Sequence, residues 1–158
     1  NRKLAVTNVR ERLFRPSDLP QITDVEQSVY GSGAYSKYFF RQLYDLFPTL
    51  VWVAEDDGKL VGHVCAALAQ DGVTGWILNT AVLAHYRRQG IGQRLTFNSI
   101  EALLKAGARC IKVTAEAGNN PAIRLYEKLG FRTVVTAENY YGDGVDRVIM
   151  ERHEKERA

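Results

Sequence analysis

A basic segment with two glycines, Arg87-Arg88-Gln89-Gly90-Ile91-Gly92, stands between a predicted strand over residues 74–83 and a predicted helix that Gly107 ends. At the start of a helix the first backbone N–H groups have no helical partner, and the helix dipole adds partial positive charge there. The glycines let the backbone come close to an anion, and the arginines can add charge-assisted hydrogen bonds. The segment therefore predicts a phosphate-binding loop.

The residues after the second glycine narrow the kind of phosphate. A nucleotide P-loop requires Gly-Lys followed by Ser or Thr, whereas Gln93 and Arg94 follow Gly92. A dinucleotide fingerprint requires a third glycine three residues later, where Leu95 stands. Taken alone, the segment is also compatible with a simple turn at a helix start whose arginines are solvated.

The elements around this loop alternate between local hairpins and helical crossovers. An apolar stripe at helical spacing, Leu19, Ile22, Val25 and Val29, predicts the first helix. The turn Asp56-Asp57-Gly58 predicts a hairpin between residues 50–54 and 60–68. Further strands are predicted over residues 10–15, 109–116, 131–137 and 147–151, and helices over 37–47 and 122–129, the last with Asn120 as N-cap and Gly130 just past its end. This order predicts an α/β fold with a mixed sheet, in a single domain over residues 1–158.

Composition excludes several classes of protein. Of the 158 residues 46% are hydrophobic and 25% charged, which favours one folded domain, and the net charge of +3 is spread along the chain, which argues against a nucleic-acid partner. No apolar run approaches the roughly 20 residues of a membrane span, so no membrane partner is expected, and no signal-peptide pattern is seen. Cys65 and Cys110 lie in strand-like runs and predict small core residues in a reducing, cytoplasmic compartment. We expect a monomer or a homodimer.

A second segment, residues 119–131, reads Asn-Asn-Pro-Ala-Ile-Arg-Leu-Tyr-Glu-Lys-Leu-Gly-Phe. Together the two segments resemble the GNAT acetyltransferase superfamily, in which the loop after the fourth strand has the pattern Gln/Arg-x-x-Gly-x-Gly/Ala. Residues 87–92 fit that pattern in full, and the flanking elements follow the family order over most of the chain. The resemblance implies a central mixed, mostly antiparallel sheet flanked by helices, with a splay between strands 4 and 5.

The resemblance also implies that acetyl-CoA is the cosubstrate and that no metal is needed. In the family the loop amides hold the coenzyme A pyrophosphate, the splayed fourth strand hydrogen-bonds the pantetheine like an added strand, and an asparagine contacts the cofactor. The residues implied to bind acetyl-CoA here are Val82, Leu83, Arg87, Arg88, Gln89, Gly90, Ile91, Gly92, Gln93 and Asn119.

Within the superfamily, the chain looks like the protein N-terminal acetyltransferases of the ribosomal-protein-alanine type. This resemblance rests on Tyr86-Arg87-Arg88, on Asn139-Tyr140-Tyr141 and on the aromatic loop over residues 30–38. It implies that Tyr30, Tyr140 and Tyr141 line the wall of a peptide-binding cleft. The alternative is that these rings only cover the edge of the core, because aromatic side chains serve both purposes.

Acetyl transfer to an amine requires an unprotonated nitrogen, stabilisation of the developing oxyanion and a proton for the departing thiolate. The resemblance makes Tyr126 the proton donor, with the backbone N–H of Val82 or its neighbour as oxyanion donor. Thr114 and Trp76 stand where relatives carry proton-accepting side chains. Glu116 projects to the same face as Thr114 and is the predicted substitute base. Alternatives left open are His63, His85 and a chain of waters.

The sequence therefore predicts an acetyl-CoA-dependent N-acetyltransferase whose favoured acceptor is a peptide N-terminal α-amine. Two other functions remain open at this point. One is acetylation of a small-molecule amine, and the other is a catalytically silent acetyl-CoA sensor, which the missing base residues permit but Tyr126 argues against.

Overall fold

The structure is a computed structural model that describes residues 8–155. Within that range the chain forms seven strands and four α-helices. The strands are β1 (Val9–Leu13), β2 (Val51–Asp56), β3 (Lys59–Leu68), β4 (Thr74–Val82), β5 (Cys110–Glu116), β6 (Arg132–Ala137) and β7 (Arg147–His153). The helices are α1 (Leu19–Tyr30), α2 (Lys37–Leu46), α3 (Ile91–Lys105) and α4 (Asn120–Lys128). None of these helices is long and apolar enough to span a bilayer.

The described strands form one sheet in the order β1-β2-β3-β4-β5-β7-β6. Neighbouring strands are antiparallel except β4 and β5, which are parallel and pair only over residues 74–77 and 110–113. Beyond these positions β4 continues to Val82 and β5 to Glu116, so the carboxyl ends of the two strands diverge. The predicted mixed sheet with a splay between strands 4 and 5 is confirmed.

A bulge in β4 lies just where the splay begins. Cys65 on β3 opposes Asn79, but the next residue, Ala66, opposes Ile77, so Leu78 is an extra residue on β4. Without a bulge, Ile77 and Asn79 would point to the same face of the sheet. Because the bulge adds one residue, Ile77 packs against the α3 side while Asn79 points to α1 on the other side.

Two helix layers cover the two faces of the sheet. On one face, α1 and α2 bury a cluster that contains Ile22, Val25, Phe40, Leu43, Val51, Val53, Cys65 and Ala81. On the other face, α3 and α4 bury a larger cluster that contains Val64, Ile77, Ile91, Leu95, Ile100, Leu103, Ile111, Val113, Tyr126 and Met150. Since the helices stand on opposite faces, side chains from both layers can approach the splay.

Turn residues end most elements where the sequence predicts. Asp57 and Gly58 adopt φ of 48° and 82°, as a tight hairpin turn requires, and Gly107 and Gly130 follow α3 and α4 at φ of 111° and 92°. The predicted cap of α4 is wrong by one position. The side chain of Asn119, and not that of Asn120, accepts the backbone N–H of Ala122 at 3.3 Å.

Candidate active site

The phosphate loop places an open helix N-terminus beside the splay. Arg88 and Gly90 adopt left-handed φ of 62° and 78°, and α3 begins immediately afterwards at Ile91. The first helical hydrogen bond runs from the N–H of Arg94 to the carbonyl of Gly90 at 3.0 Å. The amides of the three preceding residues, 91–93, therefore point out of the helix end, where they suit an anion.

Gly92 shows why this loop requires small residues. A Cβ built at Gly92 would stand 3.7 Å from a methyl carbon of Val82, which is an ordinary van der Waals contact. A side chain there would fit the fold but would fill the space between the helix start and β4. Gly92 therefore keeps the loop backbone accessible to a ligand.

The loop is fixed to the rest of the protein on both sides. The Tyr86 hydroxyl donates to Asp56 at 2.7 Å, and the Arg94 guanidinium pairs with Glu11 at 2.5 Å. Arg87 donates from Nε to the carbonyl of Val82 at 3.3 Å. These contacts assign Tyr86 an anchoring role in the hairpin–loop junction.

The backbone of β4 offers donors to the opening between β4 and β5. The N–H of Leu83 donates to the carbonyl of Val61 at 2.9 Å, and its carbonyl accepts the N–H of Tyr86 at 2.9 Å. Both backbone groups of Leu83 are therefore engaged within the fold, and contact of Leu83 with a cofactor stays a prediction. Backbone groups alternate in direction along an antiparallel strand, so the amides of Thr80 and Val82 point away from β3 and into the opening.

Two tyrosines approach Thr80 from opposite faces of the sheet. The Tyr30 hydroxyl, at the end of α1, donates to the carbonyl oxygen of Thr80. Tyr126 lies on α4, which packs on the other face; burial raises the pKa of Tyr126, and the nearby Thr80 side chain opposes the rise. Burial and the nearby carboxylate of Glu26 raise the pKa of Tyr30 to about 12. Both phenols are therefore protonated at neutral pH, and the region around Thr80 is lined by potential proton donors.

A splayed β4–β5 pair, an open helix start and a buried tyrosine on α4 are the features that the sequence resemblance implied. Residues 19–131 match the acetyltransferase (GNAT) family. The chain belongs to this family.

Relatives and solved structures agree with this membership. Over 152 residues the chain is 32% identical to the N-alpha-acetyltransferase of Sulfurisphaera tokodaii, and the alignment covers 89% of this chain and 90% of that protein. The ribosomal-protein-S18-alanine N-acetyltransferase from Escherichia coli superposes with a TM-score of 0.81 at 27% identity, over 95% of this chain and 96% of that one. Naa20 from Chaetomium thermophilum, solved with a bisubstrate analogue, gives 0.79 at 26% identity, over 91% and 86%.

The β6–β7 loop folds against the end of β5. The Tyr141 hydroxyl lies 3.3 Å from the hydroxyl of Thr114, and its ring packs edge-on against Tyr140. The guanidinium of Arg147 lies 5.0 Å from the centre of the Tyr141 ring. Arg147 also reaches Glu116 at 3.8 Å, so these side chains form one polar and aromatic wall. Sequence reasoning did not identify Arg147, because a lone arginine at a strand start carries no motif.

A buried polar network, which the sequence did not predict, lies between α1 and the sheet. Glu26 is fully buried on α1 and accepts hydrogen bonds from His63, from Asn79 at 3.0 Å and from the backbone N–H of Tyr35 at 2.9 Å. Burial raises the pKa of Glu26, but these hydrogen bonds outweigh it and hold the pKa below its usual value. The network therefore joins α1 and the aromatic loop to β3 and to the bulged part of β4.

The network also decides the role of His63. Its Nε2 lies 3.0 Å from a carboxylate oxygen of Glu26 and 2.9 Å from the amide oxygen of Asn79, and both atoms are acceptors. Nε2 must therefore carry the proton, and the ring is fully buried. Its burial and its two hydrogen-bond partners favour a structural role for His63 over that of general base. His85 is exposed beside the phosphate loop, and Glu116 is exposed at the end of β5.

Proposed function

We propose that this GNAT acetyltransferase transfers the acetyl group of acetyl-CoA to the α-amine of a peptide N-terminus. The observation that carries the proposal is the hydrogen bond of Tyr30 to Thr80 at the β4–β5 splay, with the buried Tyr126 nearby. The names of its relatives support the acceptor, since the Sulfurisphaera protein is an N-alpha-acetyltransferase and the Escherichia coli protein is a ribosomal-protein-S18-alanine N-acetyltransferase.

In this proposal the phosphate loop and the splay hold the cosubstrate. The amides of Ile91, Gly92 and Gln93 receive the pyrophosphate, with Arg87, Arg88, Gln89 and Gly90 around it. The Val82 amide hydrogen-bonds the pantetheine arm, and Asn119 contributes its side-chain NH₂ because its oxygen caps α4. Acetyl-CoA supplies a thioester whose carbonyl carbon is open to attack by an amine.

Groups of the protein then stabilise the developing charge and transfer protons. As the amine nitrogen bonds to the thioester carbon, negative charge develops on the carbonyl oxygen, and the amide of Thr80, the next one along β4 that points into the opening, is its donor. When the carbon–sulfur bond breaks, Tyr126 gives its proton to the sulfur. The proton of the attacking nitrogen leaves toward Glu116, directly or through water. Buried surroundings favour this role for Tyr126, because they keep the phenol protonated until a strong base forms beside it.

The acceptor peptide lies against the aromatic and polar wall. Tyr30 closes one side, and Tyr140, Tyr141 and Arg147 close the other. The exposed fractions of the three tyrosines, 43%, 41% and 59%, leave their ring faces free for contact with a peptide. Cytoplasmic action is part of the proposal, supported by Cys65 and Cys110, which are both free thiols.

The decisive experiment compares two peptides of one sequence. One has a blocked N-terminus and a free lysine, and the other has a free N-terminus and no lysine. Faster acetylation of the free N-terminus is expected. Faster acetylation of the blocked peptide would overturn the acceptor assignment. Turnover of small amines alone would favour the small-molecule alternative, and acetyl-CoA binding without any turnover would favour a sensor.

A further inference from the structure

A cluster of three metal-ligating side chains lies at the other end of β5 from the splay. Cys110 on β5 and His153 on β7 are directly opposed across the two strands. Glu151 stands two residues before His153 and therefore projects to the same face of the sheet. Six residues along β5 separate Cys110 from Glu116, which is a distance of about 20 Å. The cluster is thus outside the acetyl-transfer site.

The ligand atoms of these side chains converge on one point. The Sγ atom of Cys110 lies 3.8 Å from Nε2 of His153, and the same Nε2 lies 2.9 Å from Oε2 of Glu151. All three ligand atoms lie within 4.8 Å of one another. In a tetrahedral zinc site, metal–ligand bonds of about 2.0–2.3 Å place neighbouring ligand atoms roughly 3.3–3.6 Å apart. The two distances from Nε2 of His153, 2.9 Å and 3.8 Å, lie just below and just above this range.

We propose that Cys110, Glu151 and His153 form a binding site for a divalent transition metal, with zinc as the best match. Thiolate, imidazole and carboxylate are all zinc ligands, and three of them leave a fourth position for water. A metal there would join β5 to β7 through side chains. Its role would be structural or regulatory, because the acetyl-transfer groups lie elsewhere.

The geometry does not fit the other common use of these residue types. A cysteine nucleophile activated by histidine and a carboxylate requires the two partners to contact different ring nitrogens. Here Cys110 and Glu151 both contact Nε2 of His153.

The surroundings leave the ligands available. Lys112 pairs with Oε1 of Glu151 at 3.3 Å, while the other carboxylate oxygen faces His153. The Lys112 ammonium also lies 5.6 Å from the centre of the Trp76 ring, which gives it a second partner when a cation arrives. The side chain of His153 is 55% exposed, so a metal can enter from solvent. Binding displaces the Cys110 proton, which passes to solvent as the metal–sulfur bond forms.

Cobalt(II) is the probe for this site, because a cobalt–thiolate bond gives a charge-transfer absorption band. The chelator-treated wild-type protein is expected to bind one equivalent and to develop this band. Cys110→Ser should abolish the band, and Glu151→Gln and His153→Ala should each weaken cobalt binding at least tenfold. A zinc competition titration of the same variants should show the same loss of affinity. Glu154→Gln is the matched control, since it removes the same charge from the same end of the chain and lies outside the cluster. One equivalent of zinc should also raise the melting temperature of the wild type and not that of Cys110→Ser.

Several outcomes would overturn the site. These outcomes are absence of the cobalt band from the wild type at one equivalent, persistence of the band in Cys110→Ser, and a loss of binding in Glu154→Gln as large as that in Glu151→Gln. The measurements use no acetyl-CoA or peptide, so their failure would leave the proposed acetyl transfer untouched.

Discussion

The hydroxyl of Tyr30 donates a hydrogen bond to the backbone carbonyl of Thr80, which ties the end of α1 to the splayed part of β4. The neighbouring residue, Asn79, is bound to Glu26 on the same helix. Helix α1 thus holds β4 through two consecutive residues just after the bulge at Leu78. Under the proposed function, these contacts join the acceptor wall to the strand that binds the thioester.

Tyr30→Phe tests this connection. The substitution keeps the ring and removes one hydrogen bond, whose net worth is about 0.5–1.5 kcal/mol, so kcat/KM for a peptide should fall about twofold to tenfold. Affinity for CoA should stay constant, because the phosphate loop is untouched. Steady-state kinetics and a CoA titration measure the two effects. Tyr38→Phe is the control, since that side chain is 68% exposed on α2 and should change neither value. Equal kinetics for both variants would remove Tyr30 from the acceptor wall.

Tyr126→Phe tests the proton donor. Proton transfer by a positioned side chain is worth roughly 10²–10⁴-fold, so kcat should fall by about a hundredfold or more while the dissociation constant of acetyl-CoA stays the same. The buried ring retains its edge-on contact with Phe131, so the fold should remain intact. Full activity in this variant would make Tyr126 a packing residue.

Gly92→Val tests the phosphate loop. CoA at a hundredfold excess over its dissociation constant should stabilise the wild type by roughly 2.7 kcal/mol, or about 5–10 °C in melting temperature. A valine at residue 92 fills the space beside Val82 and blocks backbone approach, so most of this shift should vanish. Gly33→Ala is the matched control, because an added Cβ there meets nothing within 4 Å. A normal shift in Gly92→Val would mean that the pyrophosphate binds elsewhere.

The elements that sequence reasoning predicts well are those whose ends are marked by turn or capping residues. Asp57-Gly58, Gly107 and Gly130 end their elements as expected, since left-handed backbone is a property of single residues. Asn119 and Asn120 are both good caps, and only the three-dimensional path of the chain decides that Asn119 is used. The buried network could not be predicted from the sequence, because Glu26 is 37 residues from His63 and 53 from Asn79 along the chain. No local pattern marks a buried glutamate in an amphipathic helix or the bulge that turns Asn79 toward it.

Glu26→Gln tests the network through the pH dependence of stability. The pKa of Glu26 is lowered in the folded protein, so its stabilisation is complete above the unfolded value of 4.5 and is lost as the pH falls through the folded value. At pH 7 the variant should lose about 1–3 kcal/mol, because its amide nitrogen faces the donors of His63 and Asn79. Urea unfolding of both proteins from pH 7 to pH 3 measures this, and the difference between them should shrink toward pH 3. A difference that is constant with pH would show that Glu26 is not ionised.

The last prediction concerns the missing base. The family resemblance implies that Thr114 occupies the strand position of a proton acceptor, and Glu116 at the end of β5 is paired with Arg147 at 3.8 Å. The wild-type enzyme should therefore depend on acceptors that are already neutral. A peptide α-amine has a pKa near 7.7–8.0, so the neutral fraction rises from about a tenth at pH 7 to about nine tenths at pH 9, and kcat/KM should rise roughly five- to tenfold over that range.

Thr114→Glu should return a base to this position and raise kcat/KM at pH 7 several-fold, with little gain at pH 9, where the amine needs no help. The Thr114 side chain lies 3.3 Å from the Tyr141 hydroxyl, so the new carboxylate would face the acceptor wall directly. Thr114→Gln is the control, because it has nearly the same size and shape and cannot accept a proton at neutral pH. The measurement is kcat/KM for a free-N-terminus peptide at half-unit steps from pH 6.5 to pH 9.5, with melting temperatures to confirm folding. An equal gain in kcat/KM from Thr114→Gln and Thr114→Glu would mean that the shape of the side chain, and not proton acceptance, limits the rate. A Thr114→Glu enzyme that is slower than the wild type at every pH would exclude this strand position as the site of a base.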